Sequence, residues 1–225
     1  MFENKFSSEE AQLLMQRYSS KGRFISHTTF AETFCESLLD DSCKLPAARD
    51  FFSKNLKGKK LIDLGPGQYG YTPLINLCDK LGVKEYVGVD PTYTPDWCAN
   101  TNNLLLAREN ASTTARLVAG DGLSFLLAEK SSSAVVCSFG LFDLGAIEET
   151  ASSLPGKLEE RYIKELIKQI YRVTYQKGLT FHKILEGRHK DFETAGFEPL
   201  FRNFYTWQEK QPGHKEPKKI CCYVT

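Results

Sequence analysis

The chain lacks an apolar run long enough to cross a bilayer, and it has no internal repeats and no low-complexity linkers. Charge of one sign is missing as well: 29 lysines and arginines stand against 28 acids. No whole-molecule field therefore gathers polyanions or anionic lipid, and a nucleic-acid substrate or a membrane partner is disfavoured. The opening MFENKFSSEE has no basic stretch followed by an apolar one, so a cytoplasmic protein is expected. The seven cysteines (Cys35, Cys43, Cys78, Cys98, Cys137, Cys221, Cys222) are odd in number, scattered and without C-x-x-C spacing. They read as reduced core thiols. With no close histidine and cysteine spacing, no metal site is expected.

What is present is an ordinary globular composition, 41% hydrophobic and 25% charged over 225 residues. A chain of this length buries roughly 70 to 75% of its unfolded surface, enough for one catalytic-size domain. Cys222 stands fourth from the end behind KEPKK, but Tyr223 and Thr225 suit a prenylation tail poorly. KKICCYVT is better read as a terminal strand.

Residues 1–57 read as helices without strands, at 7–18, 28–39 and 46–56. Phe24, His27, Phe30 or Ala31, Phe34 and Leu38 recur at helical spacing in one apolar stripe. This segment is expected to be a cap or lid on a second unit, residues 58–225. From Lys59 onward short apolar runs alternate with helical stretches, the pattern of a doubly wound, mostly parallel α/β sheet. Strands are expected at KLIDL (60–64), EYVGVD (85–90), ARLVAGD (115–121), AVVCSF (134–139) and LTFHKIL (179–185). A long helix falls at 158–174, with Tyr162, Leu166, Ile170 and Val173 as its stripe. GFEPLFRNFYTW and KKICCYVT form a closing antiparallel hairpin, giving seven strands.

The strongest local signal is Asp63-Leu64-Gly65-Pro66-Gly67-Gln68-Tyr69-Gly70, after a buried strand and before a helix. Gly65 and Gly67 let the backbone turn sharply and approach a ligand. G-x-G-x-x-G alone is shared with nicotinamide and flavin enzymes. Asp63 discriminates, because a carboxylate ahead of the turn repels a pyrophosphate and attracts an ammonium group. Asp90, ending the second strand, is placed to take the hydroxyls of a ribose. Asp121 ends the third strand in AGDGLSFL, with Gly122 leaving space for a flat base, which suits an adenine amino group.

DLGPGQYG, VGVDP, AGDGLSF and VVCSFG, in this order and spacing, resemble the motif series of class I S-adenosylmethionine-dependent methyltransferases, across roughly residues 58–225. The resemblance implies a Rossmann-like fold and S-adenosylmethionine as cofactor, with S-adenosylhomocysteine as product. It implies that Asp63, Gly65, Pro66 and Gly67 face the methionine part, Asp90 the ribose, and Asp121 with Gly122 the adenine. Ser138 and Phe139 would lie where the fourth strand opens onto the methyl group. The sequence departs from the pattern in Pro-Thr-Tyr-Thr-Pro after Asp90 and in having no N-P-P-Y run. A small-molecule or protein acceptor is expected, with nucleic acid disfavoured.

Asp143 in SFGLFDLG is a candidate general base or a turn cap. Glu186, Arg188 and His189 are candidates for acceptor contact, whereas His182, alternating within a strand, reads as structural. Phe201, Phe204, Tyr205 and Trp207 read as core packing. A catalytically silent cofactor-binding module, an aminopropyl transferase and a nicotinamide-dependent oxidoreductase stand as competing readings.

Overall fold

A computed structural model describes residues 34, 35, 38, 46–142, 156–174, 178–184, 188–207 and 218–225. Its strands are Lys60–Leu64 (β1), Glu85–Asp90 (β2), Thr114–Ala119 (β3), Val135–Phe142 (β4), Leu179–Ile184 (β5), Glu198–Trp207 (β6) and Lys218–Val224 (β7). The helices are Pro46–Leu56 (α1), Gly67–Leu81 (α2), Pro95–Leu106 (α3), Gly122–Ala128 (α4), Gly156–Thr174 (α5) and His189–Thr194 (α6).

Near-continuous burial of β1 and β2 marks strands covered on both faces, as a parallel sheet requires. All seven strands form one sheet in the order β3-β2-β1-β4-β5-β7-β6, with β1 to β5 mutually parallel. The expected doubly wound sheet and its closing hairpin are thus present. The hairpin does not simply add to the edge: β7 inserts antiparallel between β5 and β6. Cys222 is wholly buried in that inserted strand. Winding reverses between β1 and β4, and the crevice at the carboxyl ends of these two strands is where open α/β sheets bind ligands.

Each strand contributes alternate residues to two cores. On one face Leu61, Tyr86, Leu117, Cys137, Phe139 and Phe181 pack with Phe52 of α1 and with Leu74, Leu77 and Cys78 of α2. Phe34, Cys35 and Leu38, from the stripe expected to form the cap, belong to this same core. The Phe34 ring meets those of Phe52, Phe139 and Phe181 at centroid distances of 5.8, 5.6 and 6.3 Å. On the other face Tyr162, Ile163, Leu166, Ile167, Ile170 and Val173 of α5 are fully buried, joined by Leu123 and Leu126 of α4 and Phe192 of α6. This is the stripe expected for the long helix.

The outer edge of β3 is covered as well. Asn102 of α3 donates its Nδ2 to the Leu117 carbonyl (3.0 Å) and accepts the Leu117 N–H at Oδ1 (2.7 Å). One side-chain amide thus replaces a missing ladder partner, which blunts an exposed strand edge. Among the described residues no helix is long and apolar enough to cross a membrane, and no cluster of three or more His, Cys, Asp or Glu could hold a metal ion. The six described cysteines are buried thiols.

Candidate functional site

At the winding reversal the backbone turns through Gly65 (φ 75°) and Gly67 (φ 70°), a region that costs a side chain dearly and glycine little. Apart from each glycine's own chain neighbours and helix backbone, no atom of the described residues lies within 4 Å of where a Cβ would stand at Gly65, Gly67 or Gly120. Among the described residues the turn therefore has open space before it, as does Gly120 after β3. Pro66 sits at the cap position of α2 and offers the helix no side-chain acceptor.

Asp63, one residue before the end of β1, is fully buried on the face shared with α1 and α2. Tyr86 of β2 donates its hydroxyl to Asp63 Oδ2 (2.8 Å). Among the described residues nothing meets Oδ1 in hydrogen-bonding geometry. Burial pushes this carboxyl up to about 7. The Tyr86 hydroxyl and the neighbouring Cys137 thiol hold it down in part, and the charge of Asp90 adds to the rise. The same burial, with Asp63 close by, pushes the Cys137 thiol and the Tyr86 phenol well up, so both stay protonated. Gly88, paired with Asp63 in register, permits this crowding: a Cβ there would stand 2.8 Å from Leu117, 3.2 Å from the Tyr86 hydroxyl and 3.3 Å from Pro66.

Asp90, at the end of β2, is only 2% exposed, and both its oxygens already receive protein donors. Gly67 N–H donates to Oδ2 (2.8 Å), while Thr92 donates its N–H (2.8 Å) and its hydroxyl (2.5 Å) to Oδ1. The Pro-Thr-Tyr-Thr-Pro departure is what builds this latch, since Tyr93 also closes on the turn by donating its hydroxyl to the Gly67 carbonyl (2.6 Å). The first amide of α2, where a dinucleotide fold would receive a pyrophosphate, is met here by the chain's own carboxylate.

Asp121 lies at the expected strand end but acts as the N-cap of α4, accepting the N–H groups of Leu123 (3.3 Å) and Ser124 (2.8 Å). The Ser124 and Tyr162 hydroxyls donate to the same carboxylate. The space expected beside Gly122 is filled. A Cβ there would press to 3.3 Å on Leu64, so this glycine serves helix-to-strand packing, and the open one is Gly120.

Ser138 and Phe139, expected to open onto the methyl group, are 0% and 4% exposed. Ser138 bonds His182 Nδ1 (2.9 Å), and His182 Nε2 bonds the Thr180 hydroxyl. Because Thr180 commits its proton to the Val136 carbonyl (2.6 Å), Nε2 carries the imidazole proton and Nδ1 accepts from Ser138. Burial lowers His182 to about 3, so the ring is neutral and this chain is structural. His189 bonds the Tyr223 hydroxyl (2.6 Å), and Arg188 pairs with Asp191 (3.3 Å). Phe24, His27, Asp143 and Glu186 lie outside the described residues.

The sequence gives no site role to Tyr86, Thr92, Tyr93 and Tyr162, yet the hydroxyls of Tyr86, Thr92 and Tyr162 hold the three acids and that of Tyr93 holds the Gly67 carbonyl. A signal existed for the first, because a tyrosine in a strand buried on both faces needs a hydroxyl partner.

No family model matches the chain, and no curated protein matches it. Solved structures similar to it include the putative methyltransferase complexed with the Haloferax volcanii Trm112 methyltransferase activator, at TM-score 0.49 and 13% identity over 93% of this chain and 96% of that one. Another is Streptococcus pneumoniae Sp1610, a putative tRNA (m1A22) methyltransferase, at TM-score 0.49 and 13% identity over 79% and 68%. A third is the spermidine synthase of Thermotoga maritima, at TM-score 0.47 and 11% identity over 77% and 58%. The fold is Rossmann-like. Strand order, the winding reversal and the glycine turn establish this.

Proposed function

We propose that the chain is an S-adenosylmethionine-dependent methyltransferase whose cofactor lies over the Gly65 to Gly67 turn. The observation that carries this reading is Asp63 Oδ1, a fully buried carboxylate oxygen that has no donor among the described residues and lies just before glycines with no described neighbour in front of them. A buried acceptor without a donor is costly, and a cationic ligand is the natural group to meet it. S-adenosylmethionine brings an ammonium group, whereas a dinucleotide brings a pyrophosphate to a helix end already held by Asp90.

In this reading the backbone of Gly65, Pro66 and Gly67 and the Asp63 carboxylate hold the methionine part. Asp90 has one lone-pair direction left after its three protein donors and accepts from the ribose, while Asp121 and the open Gly120 border the adenine. When bound, the cofactor supplies a methyl group already activated by its sulfonium. The protein's task is then alignment, which can contribute roughly 7 to 11 kcal/mol toward the barrier. Asp63 loses its proton as the ammonium arrives, because an adjacent cation favours the ionised carboxyl. Phe139 and the rings behind it keep the acceptor side of the crevice apolar. Asp143 stays a candidate base for an acceptor that arrives protonated. Balanced charge supports a small-molecule or protein acceptor, and a cytoplasmic site of action goes with this reading.

Thermal unfolding with ligands tests it. S-adenosylhomocysteine at about 100 times its dissociation constant should add about 2.7 kcal/mol of stability. Stabilisation by NAD with none by S-adenosylhomocysteine rules the reading out.

A further inference from the structure

The run Pro-Thr-Tyr-Thr-Pro after Asp90 begins with a four-residue turn, Asp at its first position and Pro at its second, closed by the Tyr93 N–H on the Asp90 carbonyl (3.3 Å). Thr92 N–H donates to Asp90 Oδ1 (2.8 Å), the bond by which an aspartate side chain commonly seals such a turn. The turn needs nothing more from Thr92. Its hydroxyl nevertheless donates to the same oxygen (2.5 Å).

That second bond changes what the carboxylate can offer. A carboxylate accepts about four hydrogen bonds, two at each oxygen. Thr92 fills Oδ1, and Oδ2 has one direction left beside the Gly67 N–H (2.8 Å). Asp90 can therefore take one hydroxyl of a ribose and not both. The Thr92 oxygen makes up the difference. Its proton is committed to Asp90, so it can only accept, and among the described residues no donor meets it. A hydroxyl that has given its proton to a carboxylate is polarised into a stronger acceptor. Asp90 is buried, whereas Thr92 is half-buried and within reach of a ligand. Tyr93 fixes the turn from the other side, donating its hydroxyl to the Gly67 carbonyl (2.6 Å) and laying its ring on that of Trp97 in α3 (centroids 4.5 Å). Asp90 also ties the turn to both open glycines, to Gly67 through Oδ2 and to Gly120 through its carbonyl, which accepts the Gly120 N–H (3.2 Å).

We propose that Thr92 is a specificity-determining residue that shares the ribose with Asp90: Thr92 Oγ1 accepts one of the two neighbouring ribose hydroxyls and Asp90 Oδ2 accepts the other. The proposal rests on the methyltransferase reading for the identity of the ligand that carries the ribose, and on the hydrogen bonds of Asp90 and Thr92 for the rest. Two acceptors held rigidly before the ligand arrives favour the intact diol over a sugar that lacks either hydroxyl.

Calorimetry on the full chain tests this with S-adenosylhomocysteine and its two singly deoxygenated forms, each lacking one ribose hydroxyl, and in parallel with adenosine and its two corresponding forms. On the wild type each deoxy form should bind about fivefold to tenfold more weakly than its parent. Thr92→Val should weaken the parent by a similar factor and abolish the penalty for one deoxy form alone, which then binds variant and wild type within about twofold. Thr92→Ser should restore the wild-type pattern. If Thr92→Val does not fold, Thr92→Ala takes its place. The proposal is overturned if the wild type penalises only one deoxy form, if the variant keeps both penalties, or if it loses both together, as it would were Thr92 only shaping the turn around Asp90. S-adenosylhomocysteine that binds without this pattern overturns the proposal and leaves the methyltransferase reading standing. The Thr92-dependent pattern on adenosine, with no binding of S-adenosylhomocysteine, removes the methyltransferase reading and leaves the ribose site standing. Binding of neither parent overturns both.

Discussion

Two buried polar groups on opposite faces of one sheet are treated differently. His182 on β5 has a partner at each ring nitrogen, and the chain from Ser138 through His182 and Thr180 to the Val136 carbonyl leaves no ring nitrogen unmet. For Asp63 on β1, Oδ2 accepts from Tyr86, and among the described residues no hydrogen-bond partner meets Oδ1. Both are fully buried, and burial drives each toward its neutral form, the imidazole to about 3 and the carboxyl to about 7. The difference teaches where to look for function. A complete network explains itself as structure, while one left incomplete among the described residues, beneath a glycine turn, calls for a further group.

The largest effect that could break this contrast lies in the apolar core on the Asp63 side of the sheet, to which Phe34 belongs. Phe34→Ala should destabilise the chain by about 3 to 5 kcal/mol, the usual range for losing a buried phenylalanine. A denaturant midpoint unchanged from wild type would show that Phe34 belongs to a loosely held lid and not to this core.

Next in size is the pH dependence of stability. The Asp63 carboxyl is raised in the folded state, so its contribution falls as pH rises from about 4 to 7, by about 4 kcal/mol at most. His182 is lowered, so its contribution is lost as pH falls from about 6.5 to 3, by about 5 kcal/mol at most. Between pH 4 and 6.5 folded and unfolded chains each hold one proton on this pair, and the two trends cancel. Asp63→Asn should uncover the histidine trend, with stability rising by about 3 kcal/mol from pH 4.5 to 6.5 relative to wild type. Parallel urea midpoints for wild type and variant across that range would contradict the assignment of both groups.

Asp90→Ala should weaken S-adenosylhomocysteine binding by about 1.5 to 3 kcal/mol, the worth of hydrogen bonds to a charged group. Because Asp90 also ties Gly67 to Thr92, the variant should lose some stability even without ligand. Calorimetry and circular dichroism together separate a ligand contact from a purely internal latch, for which affinity in a folded variant stays unchanged. Smallest is Asp121→Ala, expected to cost about 1 kcal/mol of stability through the lost cap of α4. A loss of cofactor affinity well beyond that loss of stability would assign Asp121 mainly to the adenine.

The sheet was readable in the sequence because each strand is a short apolar run between helical stretches, and the expected limits of β1 and β2 coincide with those observed. The long helix was readable from its stripe. Asp63, Asp90 and Asp121 were correctly placed at or near strand ends for the same reason. What was not readable depends on which elements become neighbours in space. No local pattern tells that Gly67 will reach Asp90 across 23 residues, that Leu64 will fill the space at Gly122, or that β7 will enter between β5 and β6. The extension of β4 through Phe142 was missed because its added residues are those of the bulge, where alternation breaks down.

The central claim is that the open acceptor at Asp63 Oδ1 is completed by the ammonium group of the cofactor, and proton release on binding tests it most directly. With the free carboxyl half protonated near pH 7, S-adenosylhomocysteine binding should expel about half a proton at that pH, read from calorimetry in buffers of different ionisation enthalpy. The release should vanish in Asp63→Asn. Binding with no proton release in the wild type, or with the same release in Asp63→Asn, would contradict the account.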